Sequence, residues 1–427
     1  MDKIKIKGGR QLNGEIFISG AKNAALPLIC ASLLTEETVT LTNMPILSDI
    51  KSMNLLLEQL GTQIDSFDDF VDGHPTKTYS YRTPELTSIA APYDYVRKMR
   101  ASYYVLGPLL ARAGKVELSL PGGCAIGTRP MDIHLAAMEE MGAKIDIRNG
   151  YVYGEVDGRL KGAHIVFRTV SVGATCNVLM AATLAEGITV LENAAKEPEI
   201  GDLINLLNDM GAKISGIGTS ILTIEGVKKL HGARHKVIPD RIEAGSYAVA
   251  AAITGGKIEL INAQTYTLKT PMQILQKMGV EVMPTERGIL VDATGKKLIG
   301  EDIITEPFPG FPTDLQAQFM ALLTVAEGAG MVTETIFENR FMHVPELQRL
   351  GADITIDGNN AVVRGVERLS GAPLMATDLR ASAALVIAAL TAGGESTGDR
   401  FYPLDRGYEK MEQKLSSLGA KIKRVKA

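Results

Sequence analysis

The feature that most restricts how this chain can fold is a phrase that occurs six times along its 427 residues. Each copy has helical apolar periodicity, ends in glycine and continues into β-branched residues, as in LINLLNDMGAKI. The six glycines are Gly61, Gly142, Gly211, Gly279, Gly351 and Gly419, which lie 68 to 81 residues apart. Glycine directly after a helix predicts a left-handed cap, because glycine has no Cβ to clash there. A repeat of this length determines the architecture before any local detail does.

A second, smaller helix is predicted between successive copies of this phrase. Its copies are rich in alanine, as in CNVLMAATLAEG and ASAALVIAALTAGG, and are followed by predicted strands such as ITVLEN. Apolar residues around the whole circumference of a helix predict burial on all sides. One unit of about 70 residues therefore holds two helices and several strands, which argues against an all-helical solenoid. Six such units, grouped three and three, predict two similar α/β domains.

The six copies differ most where the small helices begin. The residues found there are Lys22 and Asn23, Arg100, Ser171 to Gly173, Glu243, Asp314 and Asp378. The carboxylates are candidate helix caps, and if Asp314 is one, Asp314→Asn should preserve stability because asparagine caps equally well. Capping does not explain Lys22 and Arg100, since cations at this end oppose the helix macrodipole. A cation there needs an anion, so the pattern predicts a ligand with several phosphates or carboxylates.

The segment PGGCAIGTRPMDIH predicts a basic, glycine-rich loop that carries a thiol. Its glycines provide hinges, and Arg129 follows Cys124 by five residues. Neighbouring cations favour the thiolate, so Cys124 is expected to be reactive. Cys30 and Cys176 lie in apolar helical stretches and are expected to be inert packing residues. His134 follows the loop, where it would either contact a ligand or stabilise the local structure.

Composition excludes several classes of function. The net charge is −4 and no block of like charge occurs, which argues against binding of nucleic acid. The longest apolar run near the start, AALPLICASLL, is too short to span a bilayer. Three cysteines fit a reduced cytoplasm better than a disulfide framework. No zinc-ligand spacing, Walker A pattern or Rossmann glycine pattern occurs, so neither a metal nor a cofactor is expected.

Ten motifs, spread over the full length, together resemble those of the enolpyruvyl transferases. They are ISGAKNAALP, APYDYVRKMRAS, PGGCAIGTRPMDIH, VSVGAT, ENAAKEPEI, PDRIEAG, FPTDLQAQF, ENRFMHVPEL, ATDLRASAAL and DRGYE. The resemblance implies an α/β fold of two inside-out barrel domains, each with three repeated β-α-β-α-β-β units. It implies one domain of residues 1–21 with 239–427, and a second of residues 22–238 that carries the Cys124 loop.

The resemblance also implies a reaction: the enolpyruvyl group of phosphoenolpyruvate passes to the 3′-hydroxyl of UDP-N-acetylglucosamine, and phosphate is released. This is the first committed step of peptidoglycan synthesis. Cys124 would be the general acid and Asp314 the group that deprotonates the sugar hydroxyl. The implied catalytic residues are Cys124, Asp314, Lys22 and Arg406. The implied phosphoenolpyruvate ligands are Lys22, Asn23, Arg129 and Arg406. The implied nucleotide-sugar ligands are Asn23, Arg100, Arg129, Pro130, Met131, Asp132, Ile133, Ser171, Val172, Gly173, Asp314, Ile336, Arg340, Asp378 and Arg380.

Two alternatives remain open at this point. A 5-enolpyruvylshikimate-3-phosphate synthase has the same fold and reaction type, but that branch of the family lacks a loop like the one around Cys124. A catalytically silent paralogue would only bind a UDP-sugar, and the presence of every implied catalytic residue argues against it. Thr169 stands where several family members have lysine, which would leave Arg168 to contact the diphosphate.

Overall fold

A computed structural model describes residues 3–97, 99–120 and 131–425 of the protein. Cys124, Arg129 and Pro130, which the sequence analysis assigns to the site, lie outside these residues. The described chain divides into two units. Unit 1 comprises residues 3–19 and 239–425, and unit 2 comprises residues 20–97, 99–120 and 131–238.

Each unit contains three four-stranded sheets within its described residues. The strands of unit 1, in spatial order, are Pro373–Met375, Glu395–Asp399, Lys3–Lys7 and Lys421–Val425; Asn13–Phe17, Lys257–Ile261, Gly288–Asp292 and Glu281–Pro284; and Ile303–Ile304, Ala329–Thr333, Asn360–Arg364 and Asp353–Asp357. Those of unit 2 are Ala233–Lys236, Val39–Met44, His74–Arg82 and Gln63–Val71; Ala90–Ala91, Lys115–Ser119, Tyr151–Glu155 and Lys144–Arg148; and His164–Val166, Ile188–Glu192, Ile221–Glu225 and Lys213–Ser215. In every one of these sheets the first pair is parallel and the next two pairs are antiparallel.

The alanine-rich helices are buried, as their composition predicts. They are Arg241–Ile253, Gln316–Leu323 and Leu379–Thr391 in unit 1, and Lys22–Ala31, Leu106–Ala113 and Val172–Ala182 in unit 2. All residues of Arg241–Ile253 are buried, and the three helices of unit 1 pack against one another. The prediction of burial on all sides is confirmed for this helix. None of the helices built from the described residues has the length and apolar character needed to cross a membrane.

The helices of the recurring phrase end one or two residues before the predicted glycines. They are Lys269–Lys277, Val344–Arg349 and Met411–Ser417 in unit 1, and Ser48–Leu60, Asp132–Glu140 and Pro198–Asp209 in unit 2. The six repeat glycines have φ between 92° and 107°, a conformation that residues with a Cβ rarely adopt. The predicted left-handed caps are therefore confirmed. The remaining short helices are Tyr93–Val96 and the 3-10 segments Ser32–Leu34, Arg100–Val105, Thr265–Thr267, Thr313–Leu315 and Tyr402–Arg406.

The structure confirms the predicted capping role of Asp378 but not that of Glu243. Asp378 caps Leu379–Thr391, because its carboxylate accepts hydrogen bonds from Arg380 N at 2.9 Å and Ala381 N at 3.1 Å. The cap of Arg241–Ile253 is Asp240, which accepts from the N–H groups of residues 242 and 243. Glu243 itself lies in the first turn with only 1% of its surface exposed, where it binds Lys414 instead.

The prediction that Asp314 could cap a helix is wrong. The helix Gln316–Leu323 has Leu315 at its N-cap position, and no side chain caps it there. Asp314 lies in the preceding 3-10 turn, Thr313–Leu315, and its carboxylate points to two arginines. An asparagine at this position therefore cannot be expected to preserve stability by capping.

Candidate active site

Asp314 of unit 1 is held between two buried guanidinium groups. Its Oδ1 accepts a hydrogen bond from Arg340 Nη2 at 2.8 Å, and its Oδ2 accepts one from Arg380 Nη2 at 2.8 Å. The arginine side chains are 4% and 5% exposed, whereas that of Asp314 is 25% exposed. The two guanidinium groups fix the carboxylate, which can orient a substrate hydroxyl and accept its proton. The carboxylate is also the part of this trio that solvent reaches best.

Arg380 remains charged despite its burial. Burial by itself would lower the pKa of Arg380, but the negative charge of Asp314, together with the influence of Tyr408 and Asp240, outweighs burial and the pKa is raised. Arg340 makes a second hydrogen bond, from Nη2 to Thr313 O at 3.3 Å, and its guanidinium lies 5.5 Å from the ring centre of Phe337. Arg340 therefore braces the backbone and the side chain of the same turn.

A buried hydroxyl network joins the beginnings of the three small helices of unit 1. Tyr408 Oη and Ser246 Oγ are 2.8 Å apart, and Gln318 Nε2 donates to both at 3.0 Å. Gln318 Nε2 is also 3.0 Å from Asp314 O, and the guanidinium of Arg380 lies 5.6 Å from the ring centre of Tyr408. The network thus links one residue from each helix and holds the backbone of Asp314.

Sequence analysis missed Ser246 and Gln318, although a signal was present. Each lies within the first two turns of a helix that is otherwise alanine-rich and apolar. A polar side chain that is fully buried needs a hydrogen-bond partner, so polar residues inside such helices indicate a network. The motif DRGYE, which includes Tyr408, was recognised only through the family resemblance.

The remaining predicted residues of unit 1 lie on neighbouring segments. Ile336 follows the strand Ala329–Thr333, and its N–H donates to Glu334 Oε1 at 2.8 Å. Arg406 is the last residue of the 3-10 helix Tyr402–Arg406, two positions before Tyr408. Asp314, Arg340 and Arg380 are in direct contact, and Asp378 caps the helix that carries Arg380.

In unit 2, Lys22 forms an ion pair that the sequence analysis did not foresee. Lys22 is the first residue of the helix Lys22–Ala31, and its Nζ is 3.0 Å from Asp49 Oδ2. The two side chains are only 12% and 5% exposed. Asp49 lies in the first turn of Ser48–Leu60, where the macrodipole favours a negative charge. Asp49 of the chain itself therefore supplies an anion for the Lys22 ammonium group.

The segment Ser171–Gly173 begins a helix in a tightly packed corner of unit 2. Ser171 Oγ accepts a hydrogen bond from the N–H of residue 174 at 3.2 Å and caps Val172–Ala182. A Cβ at Gly173 would lie 2.7 Å from the Tyr103 hydroxyl oxygen and 3.0 Å from His134 Cε1. Only glycine fits here without moving one of these rings.

His134 stabilises this corner from within. It is 5% exposed, its Nδ1 is 3.0 Å from Asn177 Nδ2, and its ring packs edge-on against Tyr103. Burial lowers the pKa of His134 to about 4, so the imidazole is neutral at physiological pH. These contacts favour the local structural role among the two that the sequence left open.

Three other predicted ligands of unit 2 start the helix Asp132–Glu140 or precede it directly. Met131 is buried, Ile133 is half-buried, and Asp132 forms an ion pair with Arg168. The prediction that Arg168 could contact a diphosphate must therefore include its competition with Asp132. Arg100 begins the 3-10 helix Arg100–Val105, as its place in the repeat predicts.

We expect acid to destabilise both units below about pH 6.5. Burial lowers the pKa of His134 in unit 2, and of His343 in unit 1, to about 4. Both titrate near 6.5 in an unfolded chain, so unfolding takes up protons between pH 6.5 and 4 and stability falls as the pH drops through this window. The loss should approach about 3 kcal/mol per histidine. Urea unfolding at a series of pH values from 7.5 to 4.5 measures this loss. In the His134→Gln variant the free energy of unfolding of unit 2 should depend less steeply on pH. An unchanged slope in that variant would contradict the prediction.

Comparisons with known proteins agree with the resemblance. The family model described as EPSP synthase (3-phosphoshikimate 1-carboxyvinyltransferase) matches residues 6–415. The UDP-N-acetylglucosamine 1-carboxyvinyltransferase of Paramagnetospirillum magneticum is 57% identical over 100% of this chain and 99% of that protein. The protein of the same name from Granulibacter bethesdensis is 57% identical over 100% of both chains.

Solved structures show the same architecture. The enolpyruvyl transferase NikO from Streptomyces tendae superposes with a TM-score of 0.86 at 25% identity and covers 100% of this chain and 99% of its own. An EPSP synthase from Acinetobacter baumannii gives 0.76 at 18% identity over 100% of both chains, a likeness that concerns the fold alone. The predicted α/β class is confirmed, and the structure adds that the sheets are mixed. The chain therefore belongs to the EPSP synthase family of enolpyruvyl transferases.

Proposed function

We propose that this protein transfers the enolpyruvyl group of phosphoenolpyruvate to the 3′-hydroxyl of UDP-N-acetylglucosamine and releases phosphate. This reaction is the first committed step of peptidoglycan synthesis. The observation that carries the proposal is 57% identity, over the whole chain, to two proteins named for this transfer. The geometry around Asp314 supports it, because a fixed and partly exposed carboxylate suits the activation of a sugar hydroxyl.

The chemistry requires one proton donor and one proton acceptor. The donor protonates the methylene carbon of phosphoenolpyruvate, so its neighbouring carbon becomes electrophilic. The 3′-oxygen attacks that carbon and gives its proton to the acceptor. This attack forms a tetrahedral adduct. Loss of a proton from the new methyl group, with cleavage of the bond to phosphate, then gives the enol ether and free phosphate.

In this proposal Asp314 accepts the hydroxyl proton and Cys124 is the donor. Asp314 accepts hydrogen bonds from Arg340 and Arg380, which fix its orientation. The role of Cys124 stays a prediction from the sequence, since this residue lies outside the described chain. Lys22 and Arg406, together with Arg129, would bind the phosphate and carboxylate of phosphoenolpyruvate.

The same proposal includes the finer description of the fold. Three sheets and three small buried helices in each unit support two inside-out α/β barrels. The proposed domains are residues 1–21 with 239–427 and residues 22–238. Cys30 and Cys176 are both free thiols, which is consistent with the proposed cytoplasmic location.

The acceptor decides between this function and its nearest alternative. The matching family model bears the name of an enzyme that uses 3-phosphoshikimate, which favours that acceptor as the second candidate. We would measure phosphate released from phosphoenolpyruvate with UDP-N-acetylglucosamine, with 3-phosphoshikimate and without any acceptor. Release that depends on UDP-N-acetylglucosamine supports the proposal, and release only with 3-phosphoshikimate refutes it. No release with either acceptor, despite binding of the UDP-sugar, would identify a silent paralogue.

Fosfomycin is expected to alkylate Cys124 and neither of the other cysteines. Fosfomycin is an epoxide that mimics phosphoenolpyruvate and alkylates the matching cysteine of the family. Cys30 and Cys176 are at most 1% exposed, and burial raises the pKa of both thiols, so neither offers a thiolate. Peptide mapping by mass spectrometry after treatment should find one adduct, on Cys124, and labelling should quicken when UDP-N-acetylglucosamine is present. An adduct on Cys30 or Cys176 alone would overturn this assignment.

A further inference from the structure

Glu334 is a buried carboxylate that the sequence analysis did not single out. It follows the strand Ala329–Thr333, and only 3% of its surface is exposed. Its side chain accepts four hydrogen bonds, from Thr305 Oγ1 and Thr313 Oγ1 at 2.8 Å, Ile336 N at 2.8 Å and Phe337 N at 3.2 Å. Among its contacts within the described chain, none involves a cation.

The number of hydrogen bonds alone does not distinguish Glu334 from a buried glutamine. Removing a carboxylate from water is unfavourable, and neutral donors offset only part of that loss. One oxygen, Oε1, already accepts three of the four hydrogen bonds, which a neutral glutamine would also accept. What distinguishes Glu334 is the set of groups that its two oxygens connect.

One of these oxygens holds the turn that carries Asp314. Glu334 Oε2 accepts the hydroxyl hydrogen of Thr313, the residue directly before Asp314. Arg340 grips the same turn from its other side, since its Nη2 donates to Thr313 O and to Asp314 Oδ1. The turn is thus fixed through the backbone of Thr313 and through the side chains of Thr313 and Asp314.

The other oxygen holds the segment that carries Ile336. Glu334 Oε1 accepts the backbone N–H groups of Ile336 and Phe337. The ring of Phe337 in turn lies beneath Arg340, which bonds Asp314. A single buried carboxylate therefore sets the spacing between Ile336 and Asp314, which lie 22 positions apart in the sequence.

We propose that Glu334 is a positioning residue that holds Asp314 and the Ile336 backbone at the spacing required by one ligand, the nucleotide sugar. This inference rests on the proposed function, in which Asp314 and Ile336 both contact UDP-N-acetylglucosamine. Loss of the hydrogen bonds that Glu334 accepts should therefore weaken binding of the nucleotide sugar and slow turnover, because small displacements of catalytic groups lower the reaction rate strongly. The same loss should hardly change the KM for phosphoenolpyruvate.

The sharpest test uses two threonines of the same segment. Thr313→Val removes the hydroxyl that binds Glu334 and keeps the shape of the side chain. Thr324→Val is the matched control, because Thr324 is fully buried at the other end of the helix Gln316–Leu323 and donates to Ala321 O at 2.6 Å. Each variant loses one hydrogen-bonded hydroxyl, half-buried at Thr313 and fully buried at Thr324, so each should lose some stability.

Of the two variants, only Thr313→Val should weaken binding of UDP-N-acetylglucosamine and slow turnover. We expect calorimetry to show that its Kd for UDP-N-acetylglucosamine rises about tenfold and assays to show that kcat falls at least as much. The KM for phosphoenolpyruvate should stay within about threefold of the wild type. Thr324→Val should leave the Kd, kcat and KM close to their wild-type values.

Two substitutions of Glu334 complete the test. Glu334→Gln should retain most of the affinity, because its oxygen accepts the same three hydrogen bonds and the Thr313 hydroxyl can reverse to accept one. Glu334→Ala should lose more than Thr313→Val, and if it does not fold, the two threonine variants still decide the matter. The inference is overturned if Thr313→Val binds and turns over as Thr324→Val does. A wild-type protein that neither binds UDP-N-acetylglucosamine nor releases phosphate with it would instead refute the proposed function, and the inference with it.

Discussion

Replacement of Asp314 by asparagine is expected to lower turnover by roughly two to four orders of magnitude and also to destabilise unit 1. An amide cannot accept the proton of the sugar hydroxyl. In the wild type each guanidinium group donates to one carboxylate oxygen of Asp314. The amide of asparagine would instead present an N–H group to one of the two guanidinium groups. Two buried cations then lose their counter-ion, which should reduce the free energy of unfolding by about 2 kcal/mol, allowing for partial exposure of Asp314.

This result would differ from the one that the sequence suggests. As a helix cap, Asp314 could be replaced by asparagine at no loss of stability. Phosphate release at saturating substrates and urea unfolding measure the two effects separately. Asp353→Asn is the matched control, because Asp353 pairs with Arg364 on the surface of unit 1, and exposed pairs contribute little. If Asp314→Asn turns over normally, Asp314 is a structural counter-ion and another group receives the proton.

Lys414→Met is expected to destabilise unit 1 by about 3–5 kcal/mol, the largest stability effect anticipated here. Lys414 Nζ donates to Glu243 Oε1 at 2.6 Å, Ser19 Oγ at 2.8 Å and Phe17 O at 3.0 Å. Glu243 is 1% exposed and also accepts the N–H of Ser19 at 2.7 Å. Methionine fills the space of the lysine stem but leaves Glu243 buried without its cation.

The loss should depend on pH in a defined direction. Burial raises the pKa of Glu243 even with Lys414 present, so its charged form is the costly one in the folded state. Without the lysine the pKa should rise further, and stability should decrease as pH rises from the unfolded value near 4.5 through the folded value. Urea unfolding at pH 5 and pH 8 should therefore show the larger loss at pH 8.

A double substitution and a control make this test specific. Lys414→Met with Glu243→Gln removes both charges and should recover much of the stability, since a buried pair is often replaceable when both partners are neutralised. Lys296→Met removes an exposed partner of Glu281 and should change stability by less than about 1 kcal/mol. Equal losses from Lys414→Met and Lys296→Met would contradict the importance of the buried pair.

Local physics in the sequence predicts much of this fold. The glycine caps follow from the steric cost of a Cβ at positive φ, and burial of the small helices follows from their alanine content. Both patterns depend on residues within one helix and its next turn. Such features can be recognised without knowing which parts of the chain meet.

The contacts of the site could not be predicted in the same way. Asp314 is bound by Arg340 and Arg380, which lie 26 and 66 positions further along the chain. Glu243 and Asp240 both stand near the start of one helix, and only the backbone path shows that Asp240 is the cap. The family resemblance implies that the arginines are ligands, which stays a prediction, whereas the structure shows what they bind within the protein.

The sheet that contains both ends of the described chain has a consequence for synthesis on the ribosome. Its strand Lys3–Lys7 lies between Glu395–Asp399 and Lys421–Val425, so both of its neighbours are made after all described residues of unit 2. All described residues of unit 2 have been translated long before then, whereas this strand must wait with two unpaired edges. Its Lys3, Lys5 and Lys7 alternate with the buried Ile4 and Ile6, and such charges discourage pairing with other chains. These lysines should therefore limit aggregation of the nascent chain until residues 395–425 have been translated.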